Sequence, residues 1–406
     1  MAAVSGAPSL AVFPWGDVIE EFLDPLGLTT DDYVGRMRGG WLFGYVAGLQ
    51  AHGLRPLIIY ASERVEAPLR LTHADTGAPI WLVPGRRTQT TQRPSLNAVR
   101  QWRRTPFGAF ADILRSEACG AILVQDYEHP RFEALSLLGR RLKLPVFATF
   151  QGGDVTLSAL ERRVRGPFLR RCAGLVVASA RERGRLEKTY GVDPARIHPI
   201  PNPVDLDFWT PEPRLAARQV LGVAADELVV FNHGRIDVRR KGLDVLIEAW
   251  RQFSQGHANA RLVVLGSGQD REAFAGLVGQ APRVDWLSSY VTDPPLIRRW
   301  LSAADIYVTL SRVEGMPVAP LEAMACGLPV VASDAHGLAD IFEAGEAAGG
   351  LVVPREDASA AAAALASLAD ATHYRHDLGR RARAHVEGRY SIDAVGRDLG
   401  GMIRSR

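Results

Sequence analysis

The segment at residues 304–334, ADIYVTLSRVEGMPVAPLEAMACGLPVVASD, has the pattern of a strand, a loop, a helix and a second strand. Its apolar run at 306–310 predicts a buried strand, which Gly315 ends, and Pro317 suits the first position of a helix, where a missing N–H costs nothing. Strands that alternate with helices form parallel sheets, which bind ligands beyond the carboxyl ends of their strands. The segment therefore predicts an α/β fold with a ligand site in the loop that contains Glu314.

The same alternation recurs along the whole chain of 406 residues. Short β-branched runs, which are typical of buried strands, are separated by longer helix-forming segments. In the first half these runs lie at 10–13, 57–60, 121–125, 146–150 and 175–178 and in a short piece ending near Ile200, and in the second half at 228–232, 262–265, 284–287, 306–310, 330–333 and 351–353. We therefore predict an α/β protein with two Rossmann-like, doubly wound domains that face a central cleft.

A proline-rich segment separates the two halves. PIPNPVDLDFWTPEP, at 199–213, contains five prolines, which disfavour regular structure and suit an ordered linker. We place the boundary at Trp209, which gives an N-terminal domain at residues 1–209 and a C-terminal domain at 210–389. The last segment, 390–406, carries apolar residues at helical spacing, so it should form a helix that packs back on the N-terminal domain.

The composition limits the classes of protein to which the chain can belong. An apolar fraction of 47% with 23% charged residues is typical of a folded globular protein, and a net charge of +3 gives no reason to expect a nucleic-acid partner. No apolar run approaches the ~20 residues of a membrane span, and the N-terminus lacks a secretory pattern, so we expect a cytoplasmic protein. The three cysteines lie far apart, which disfavours disulfides and a zinc site.

A basic cluster surrounds Pro167 and Phe168. The ordinary interpretation is a solvated helix face, and the alternative is a contact with an anionic acceptor or, peripherally, with the inner face of a membrane. The members of the cluster are Arg162, Arg163, Arg165, Arg170 and Arg171.

Two predicted strand-to-helix loops carry side chains that are suited to a diphosphate and a diol. In FNHGRIDVRRKG, Arg235 and Lys241 follow a strand, where cations can bind a diphosphate and stabilise the charge that develops as it departs. Glu314 lies beside a helix N-terminus, and Glu322, eight positions later, can accept hydrogen bonds from a vicinal diol such as a ribose. The alternatives are solvated cations and a pair of glutamates that only complement a helix dipole.

Weaker signals come from two glycine-bearing loops and one histidine. Gly39 and Gly40 precede one predicted helix, and Gly266 and Gly268 precede another, so each pair allows either close approach of a ligand or a plain turn. His129, in QDYEHP, follows a predicted strand and is either a ligand contact or an ordinary loop histidine before a proline.

Two motifs resemble those of a known family. GRIDVRRKG at 234–242 and EGMPVAPLEA at 314–323 are similar to the donor-site motifs of glycosyltransferase family 4, a G-R-x5-K-G loop and an E-x7-E helix start on a GT-B fold. IPNPVD at 200–205 resembles the family's I-P-N-G-V-D linker, with Pro203 in place of glycine. The resemblance covers most of residues 120–406. It implies a retaining transferase that moves a hexose-type sugar from a nucleotide-diphosphate sugar to an acceptor hydroxyl of a small molecule, a lipid or a growing glycan.

The resemblance also implies roles for individual residues, with the donor in the C-terminal domain and the acceptor in the N-terminal one. Catalytic roles fall to Arg235, Lys241 and Glu314. Donor contacts fall to Gly234, Gly266, Gly268, Ser289, Tyr290, Gly315, Met316, Pro317, Leu321 and Glu322. Acceptor or sugar contacts fall to Gly39, Gly40, His129, Gln151, Gly152 and Asp154. Gln151 stands where many relatives carry a histidine, and its amide can still hydrogen bond a sugar hydroxyl.

Other functions on the same fold stay open. A sugar phosphorylase, a nucleotide-sugar epimerase and a catalytically silent sugar-binding partner would share the donor motifs, whereas a dehydrogenase is disfavoured because neither half opens with a strand and G-x-G-x-x-G. The nearest sequence to a metal-binding D-x-D pair is D-Y-E at 126–128, so we expect no metal and no cofactor, with a UDP- or GDP-sugar as co-substrate. We expect a monomer or a homodimer.

Overall fold

The structure is a computed structural model, and it describes residues 8–35, 37, 40–88, 93–150, 159–288 and 293–405. The chain forms two compact units. Unit 1 comprises Met1–Pro203 together with Ile392–Arg406, and unit 2 comprises Val204–Ser391. Each unit is built around its own sheet.

The division between the units falls at Pro203 and Val204, six positions before the boundary that we placed at Trp209. Trp209 belongs to unit 2 because its side chain is buried there. Its carbonyl oxygen accepts hydrogen bonds from Cys326 Sγ at 3.5 Å and from Arg383 Nη1 at 3.3 Å. These partners are distant in sequence, so the local proline pattern does not indicate them.

Unit 1 contains an eight-stranded sheet. Its strands are β1 (Ser9–Phe13), β2 (Arg55–Ser62), β3 (Leu69–Thr72), β4 (Pro79–Pro84), β5 (Cys119–Gln125), β6 (Val146–Thr149), β7 (Gly174–Val176) and β8 (Ile197–His198). Their order is β3-β4-β2-β1-β5-β6-β7-β8, and neighbours are parallel except for β3 and β4, which are antiparallel. Since the strand order reverses between β1 and β5, their carboxyl ends form the switch point of this sheet.

Helices cover both faces of this sheet, as the alternating pattern predicts. They are α1 (Glu20–Leu23), α2 (Thr30–Gly35), α3 (Gly40–Ala51), α4 (Pro94–Arg104), α5 (Phe107–Ser116), α6 (Arg131–Leu142), α7 (Ala159–Leu169) and α8 (Ala180–Tyr190), with 3₁₀ turns at Asp24–Leu26 and Pro194–Arg196. Phe110 and Phe132 belong to the core on one face, and Phe43 and Val46 belong to the core on the other. Unit 1 is therefore doubly wound.

Unit 2 contains a six-stranded, fully parallel sheet. Its strands are β9 (Leu228–His233), β10 (Ala260–Leu265), β11 (Val284–Leu287), β12 (Ile306–Thr309), β13 (Val330–Ser333) and β14 (Gly350–Val353). Their order is β11-β10-β9-β12-β13-β14, so the carboxyl ends of β9 and β12 form the switch point.

The helices of unit 2 alternate with these strands. They are α9 (Arg214–Leu221), α10 (Val238–Lys241), α11 (Leu243–Ser254), α12 (Arg271–Val278), α13 (Pro294–Ala303), α14 (Ala319–Ala325), α15 (Leu338–Ile341), α16 (Ala358–Asp370) and α17 (Thr372–Arg389), with a 3₁₀ turn at Gly345–Ala348. Trp250 and Phe253 of α11 are buried in the core with Leu365 of α16.

The last helix, α18 (Ile392–Arg404), belongs to unit 1 and packs against α3. Val395 and Leu399 are buried in the unit 1 core. A Cβ atom on Gly396 would lie 2.5 Å from the Cα atom of Gly48, so the two helix backbones touch at a pair of glycines. No helix among the described residues is both long and apolar enough to cross a membrane.

The basic cluster around Pro167 is not a uniformly solvated helix face. Arg165 is fully buried, and its Nε donates to Glu133 Oε1 at 2.6 Å while its Nη1 donates to the carbonyl oxygen of Glu128 at 2.8 Å. A guanidinium can be buried only where such partners compensate for lost water. The interpretation as a solvated face is therefore wrong for Arg165, whereas Arg163 is exposed.

Candidate active site

The switch point of unit 2 brings together two loops that carry predicted donor residues. Residues 234–242 follow β9, and residues 310–318 follow β12. The loops are joined directly, because the N–H of Arg312 donates to the carbonyl oxygen of Arg240 at 2.8 Å. Positions that are distant in sequence therefore lie side by side at the ligand-binding edge of the sheet.

Lys241 and Glu314 form an ion pair at this edge. The short helix α10 begins after Asp237, whose side chain accepts a hydrogen bond from the N–H of Arg240 at 3.0 Å, and it ends at Lys241. Lys241 Nζ lies 2.6 Å from Glu314 Oε1, and Ser311 Oγ donates to the same oxygen at 2.7 Å. The Glu314 side chain is 6% exposed and that of Lys241 is 28% exposed. The carboxylate is thus held in place, while the ammonium group has access to solvent.

Arg235 provides a second cation beside the pair. It lies in the loop directly after β9 and is exposed. Within the part of the chain that the structure describes, its guanidinium has no hydrogen-bond or ion-pair partner. A free guanidinium can bind a phosphate group through two parallel hydrogen bonds.

Gly266 and Gly268 act through close packing of the chain. A Cβ atom on Gly266 would lie 1.9 Å from the carbonyl oxygen of Gly234, and one on Gly268 would lie 2.1 Å from that of Ile236. Any side chain at these positions would push the loop after β10 away from the loop after β9. Both glycines therefore support the shape of the loop that contains Arg235.

Two further glycines fix the loop after β12. Gly242 has φ +59°, and a Cβ atom there would lie 2.0 Å from the carbonyl oxygen of Leu310. Gly337 has φ +84°, and a Cβ atom there would lie 2.3 Å from the carbonyl oxygen of Gly315. Sequence reasoning missed Gly337, because a lone glycine outside a motif resembles an ordinary turn residue.

Glu322 is held by a residue that sequence reasoning also missed. His233, the last residue of β9, directs Nε2 toward Glu322 Oε2 at 2.9 Å. The side chains of His233 and Glu322 are 6% and 17% exposed. The available signal was a polar residue that ends an otherwise largely apolar strand, just before the motif glycine Gly234.

The helix that follows β12 begins later than the sequence predicts. α14 begins at Ala319, and Pro320 occupies its first turn, so the expected start at Pro317 is wrong. A proline fits either position, because N–H groups in the first turn have no partner within the helix. The side chain of Leu321 is fully buried and that of Met316 is mostly buried. Leu321 is buried as a whole residue, backbone included, so its contact with the donor stays a prediction.

The switch point of unit 1 contains His129. Its Nε2 lies 3.8 Å from Asp17 Oδ1, and its Nδ1 accepts the N–H of Arg131 at 3.3 Å. Burial lowers the pKa of His129 from 6.5 to about 4; Asp17 opposes this effect, and Arg131 and Arg165 add to it. Asp17 follows β1 and is buried, and its Oδ1 has no hydrogen-bond partner among the described residues. It was not predicted, because no motif contains it.

Several predicted residues lie outside the described part of the chain. Of the predicted pair Gly39 and Gly40, only Gly40 is described, and it is the first residue of α3. The predicted donor and acceptor contacts that are not described are Gly39, Gln151, Gly152, Asp154, Ser289 and Tyr290. Their roles stay predictions.

Two family models match the chain, one mostly within unit 1 and one within unit 2. The model described as "Glycosyltransferase Family 4" matches residues 44–208. The model described as "Glycosyl transferases group 1" matches residues 227–371, which include both donor loops. The chain belongs to glycosyltransferase family 4. The resemblance that the two motifs indicate is confirmed.

Relatives in this family are similar over part of their length. The chain is 34% identical over 241 residues to a D-inositol 3-phosphate glycosyltransferase of Xylanimonas cellulosilytica, an alignment that covers 55% of this chain and 54% of that protein. It is 31% identical over 231 residues to a GDP-mannose-dependent monoacylated alpha-(1-6)-phosphatidylinositol monomannoside mannosyltransferase of Corynebacterium glutamicum. This alignment covers 54% of this chain and 59% of that protein. The chain thus spans about half the length of the curated relatives that it matches.

Solved structures of the same fold cover nearly the whole chain. Sucrose-phosphate synthase from Thermosynechococcus elongatus superposes with a TM-score of 0.73 at 21% identity, over 98% of both chains. The Anabaena protein HepE in complex with UDP superposes with a TM-score of 0.71 at 16% identity, over 98% of this chain and all of that one. These similarities show the GT-B fold, as the resemblance implies.

Proposed function

We propose that this family 4 member transfers a hexose from a nucleoside diphosphate hexose to an acceptor hydroxyl, with retention of the anomeric configuration. The observation that carries the proposal is the grouping of four side chains at the switch point of unit 2: Arg235, Lys241 and Glu314 on two loops, and Glu322 on the adjoining helix α14. A diphosphate, a sugar and a ribose require cations and carboxylates in such an arrangement.

In this proposal the diphosphate binds to Arg235 and Lys241. Arg235 is free to bind it, and Lys241 exchanges part of its interaction with Glu314 for a phosphate oxygen. Glu314, still bound by Ser311, then accepts hydrogen bonds from hydroxyl groups of the donor sugar. Glu322 accepts hydrogen bonds from the ribose. The ion pair thus keeps both charges in position before the donor arrives.

The chemical step requires stabilisation of the leaving diphosphate. The bond from the anomeric carbon to the phosphate oxygen breaks, and the acceptor oxygen bonds to that carbon from the same face. The acceptor proton passes to the departing phosphate oxygen, so no protein base is required. Arg235 and Lys241 stabilise the negative charge that develops on the diphosphate. Because two protein cations serve this purpose, we expect transfer to proceed without a divalent metal ion or a cofactor.

The names of the relatives suggest which substrates to try first. We propose GDP-mannose and UDP-sugars as donors and a polyol phosphate such as inositol 3-phosphate as an acceptor. GDP-mannose and inositol 3-phosphate occur in the names of relatives, and a solved structure of HepE is a complex with UDP-glucose. We expect a monomer or a homodimer that functions in the cytoplasm, without a nucleic-acid partner. Peripheral contact with a membrane stays a prediction for exposed arginines such as Arg163.

The proposal is tested by incubating the protein with UDP- and GDP-hexoses, with and without inositol 3-phosphate, in the presence of EDTA. Proton NMR of the product should show the anomeric configuration of the donor, and release of the nucleoside diphosphate should continue without metal. Formation of a sugar phosphate from inorganic phosphate would indicate a phosphorylase, and conversion of one nucleotide sugar to another would indicate an epimerase. Donor binding without turnover, across a wide panel of acceptors, would favour a silent partner.

A further inference from the structure

We infer that His233 is a positioning residue, which orients the Glu322 carboxylate for the ribose hydroxyls of the donor. The inference rests on the proposed function, because it requires a nucleoside diphosphate in the unit 2 site. Neither donor motif includes His233, which precedes the first motif by one position.

The contact with Glu322 has a defined direction. A carboxylate only accepts hydrogen bonds, so His233 Nε2 donates to Glu322 Oε2 across 2.9 Å. The other oxygen of Glu322 has no partner among the described residues, and the side chain is 17% exposed. One oxygen is therefore fixed, while the other is open to a ligand hydroxyl.

The imidazole is itself held firmly. Its ring stacks on Phe231 with centroids 5.6 Å apart and meets the edge of Tyr307 at 5.5 Å. The hydroxyl of Tyr307 donates to the carbonyl oxygen of His233 at 3.4 Å. His233 Nδ1 is buried and has no hydrogen-bond partner in the part of the chain that the structure describes. Among the described residues, the bond to Glu322 is thus the one polar contact of the imidazole, and Phe231 of β9 and Tyr307 of β12 hold the imidazole in place.

This arrangement has a selective consequence. A glutamate has three side-chain torsions, and ordering such a side chain changes affinity roughly 2- to 10-fold. Loss of the hydrogen bond from His233 should lower the affinity only for those ligands whose hydroxyls bind Glu322. The affinity for a ligand without ribose hydroxyls should not change. A general disturbance of the site would instead lower the affinity for ligands with and without these hydroxyls.

The test compares nucleoside diphosphates with and without the ribose hydroxyls by isothermal titration calorimetry. UDP and GDP are titrated first, and the tighter one is then compared with its 2′,3′-dideoxy counterpart. The ratio of the two Kd values is measured for the wild type and for three variants. His233→Phe keeps an aromatic ring but removes the donor, His233→Asn keeps polarity but is too short to reach Glu322, and His233→Gln can place an amide N–H near the position of Nε2.

We expect the wild type to prefer the ribose form, His233→Phe and His233→Asn to reduce that preference about 2- to 10-fold, and His233→Gln to restore most of it. In the Glu322→Ala background, His233→Phe should have no further effect. If His233→Phe does not fold, the Kd ratios of His233→Asn and His233→Gln are compared with each other to decide whether the hydrogen bond to Glu322 matters. An unchanged ratio in Phe and Asn, or an equal loss in all three variants, would overturn the inference. A wild type that binds the diphosphate without preferring ribose would instead overturn the role of Glu322 in the proposed function.

Discussion

Replacing Lys241 by methionine should destabilise unit 2 even without a ligand. Among the described residues, the variant leaves the Glu314 carboxylate, which is 6% exposed, with a single neutral hydrogen bond from Ser311. Removing one partner costs about 3–5 kcal/mol for a buried pair, whereas an exposed pair contributes about 0–1 kcal/mol. Because the Lys241 side chain is 28% exposed, the free-energy cost of removing it should fall between these limits. We expect a loss of about 2 kcal/mol in the free energy of unfolding.

Thermal unfolding followed by circular dichroism measures this effect. In a domain of this size 1 kcal/mol corresponds to about 2–4 °C, so the Tm of the unit 2 transition should fall by about 4–8 °C. Arg239→Met is the matched control, because Arg239 is exposed and its guanidinium has no partner among the described residues. Its Tm should stay within about 2 °C of the wild type.

A double-mutant cycle decides whether the ion pair is the cause. Adding Glu314→Gln to Lys241→Met removes the uncompensated charge while keeping an acceptor for Ser311, so about 1–2 kcal/mol should be recovered. If the two substitutions were additive within about 0.5 kcal/mol, the pair would contribute nothing, and the reasoning about a preformed donor site would be refuted.

Three further variants probe the loops and the unit 1 network. Gly242→Ala should lower stability by about 1–3 kcal/mol and abolish donor turnover, because φ is +59° and the new Cβ would meet the carbonyl oxygen of Leu310; denaturant unfolding and a donor assay check this. Arg165→Met should lower the free energy of unfolding in urea by about 3–5 kcal/mol, because it leaves the buried Glu133 without its cationic partner. His129→Gln should reduce acid sensitivity: the unfolded chain protonates this histidine below its ordinary pKa of 6.5, whereas burial lowers the folded pKa to about 4. The contribution of His129 to stability is therefore complete above pH 6.5 and is lost as the pH falls toward 4, which unfolding measured against pH will show.

The glycine and arginine variants each have a control, and His129→Gln is compared with the wild type. Gly276→Ala, in the exposed part of α12 with no atom near the new Cβ, should stabilise by about 0.5–1 kcal/mol. Arg163→Met, at an exposed position of α7, should change stability by less than about 0.5 kcal/mol. Burial raises the pKa of Glu128 to about 7, so the contribution of Glu128 to stability increases as the pH falls, opposite to that of His129. Because Glu128 is present in both the wild type and His129→Gln, its contribution cancels in the difference between their stabilities. Equal effects in variant and control, or the same acid sensitivity with and without His129, would contradict the account.

The donor site could be predicted from the sequence because parallel sheets place loops in a regular way. Residues after β9 and after β12 lie at one edge whenever these strands are neighbours, so Lys241 and Glu314 meet although 73 positions separate them. The helix start could not be predicted in this way, since Pro317 and Pro320 both suit a first turn and only the packed structure selects Ala319 as the first residue.

Residues that act through tertiary contacts could not be found in this way. His233 acts through Glu322, which is 89 positions away and joins it only when α14 packs against β12, the strand next to β9. Arg165 resembles a solvated cation until Glu133, on a neighbouring helix, neutralises it. Trp209 resembles a linker residue until Arg383 binds its carbonyl oxygen. In each case the partner lies too far along the chain for local periodicity to indicate it.

The most direct test of the donor site is turnover of a nucleotide sugar by three proteins. Wild type, Lys241→Ala and Arg239→Ala are incubated with UDP- and GDP-hexoses, and the released nucleoside diphosphate is quantified. We predict release by the wild type and by Arg239→Ala, and a rate at least about 100-fold lower for Lys241→Ala, because a cation that stabilises the leaving group is lost. Equal rates for Lys241→Ala and the wild type, or equal losses in both variants, would contradict the account.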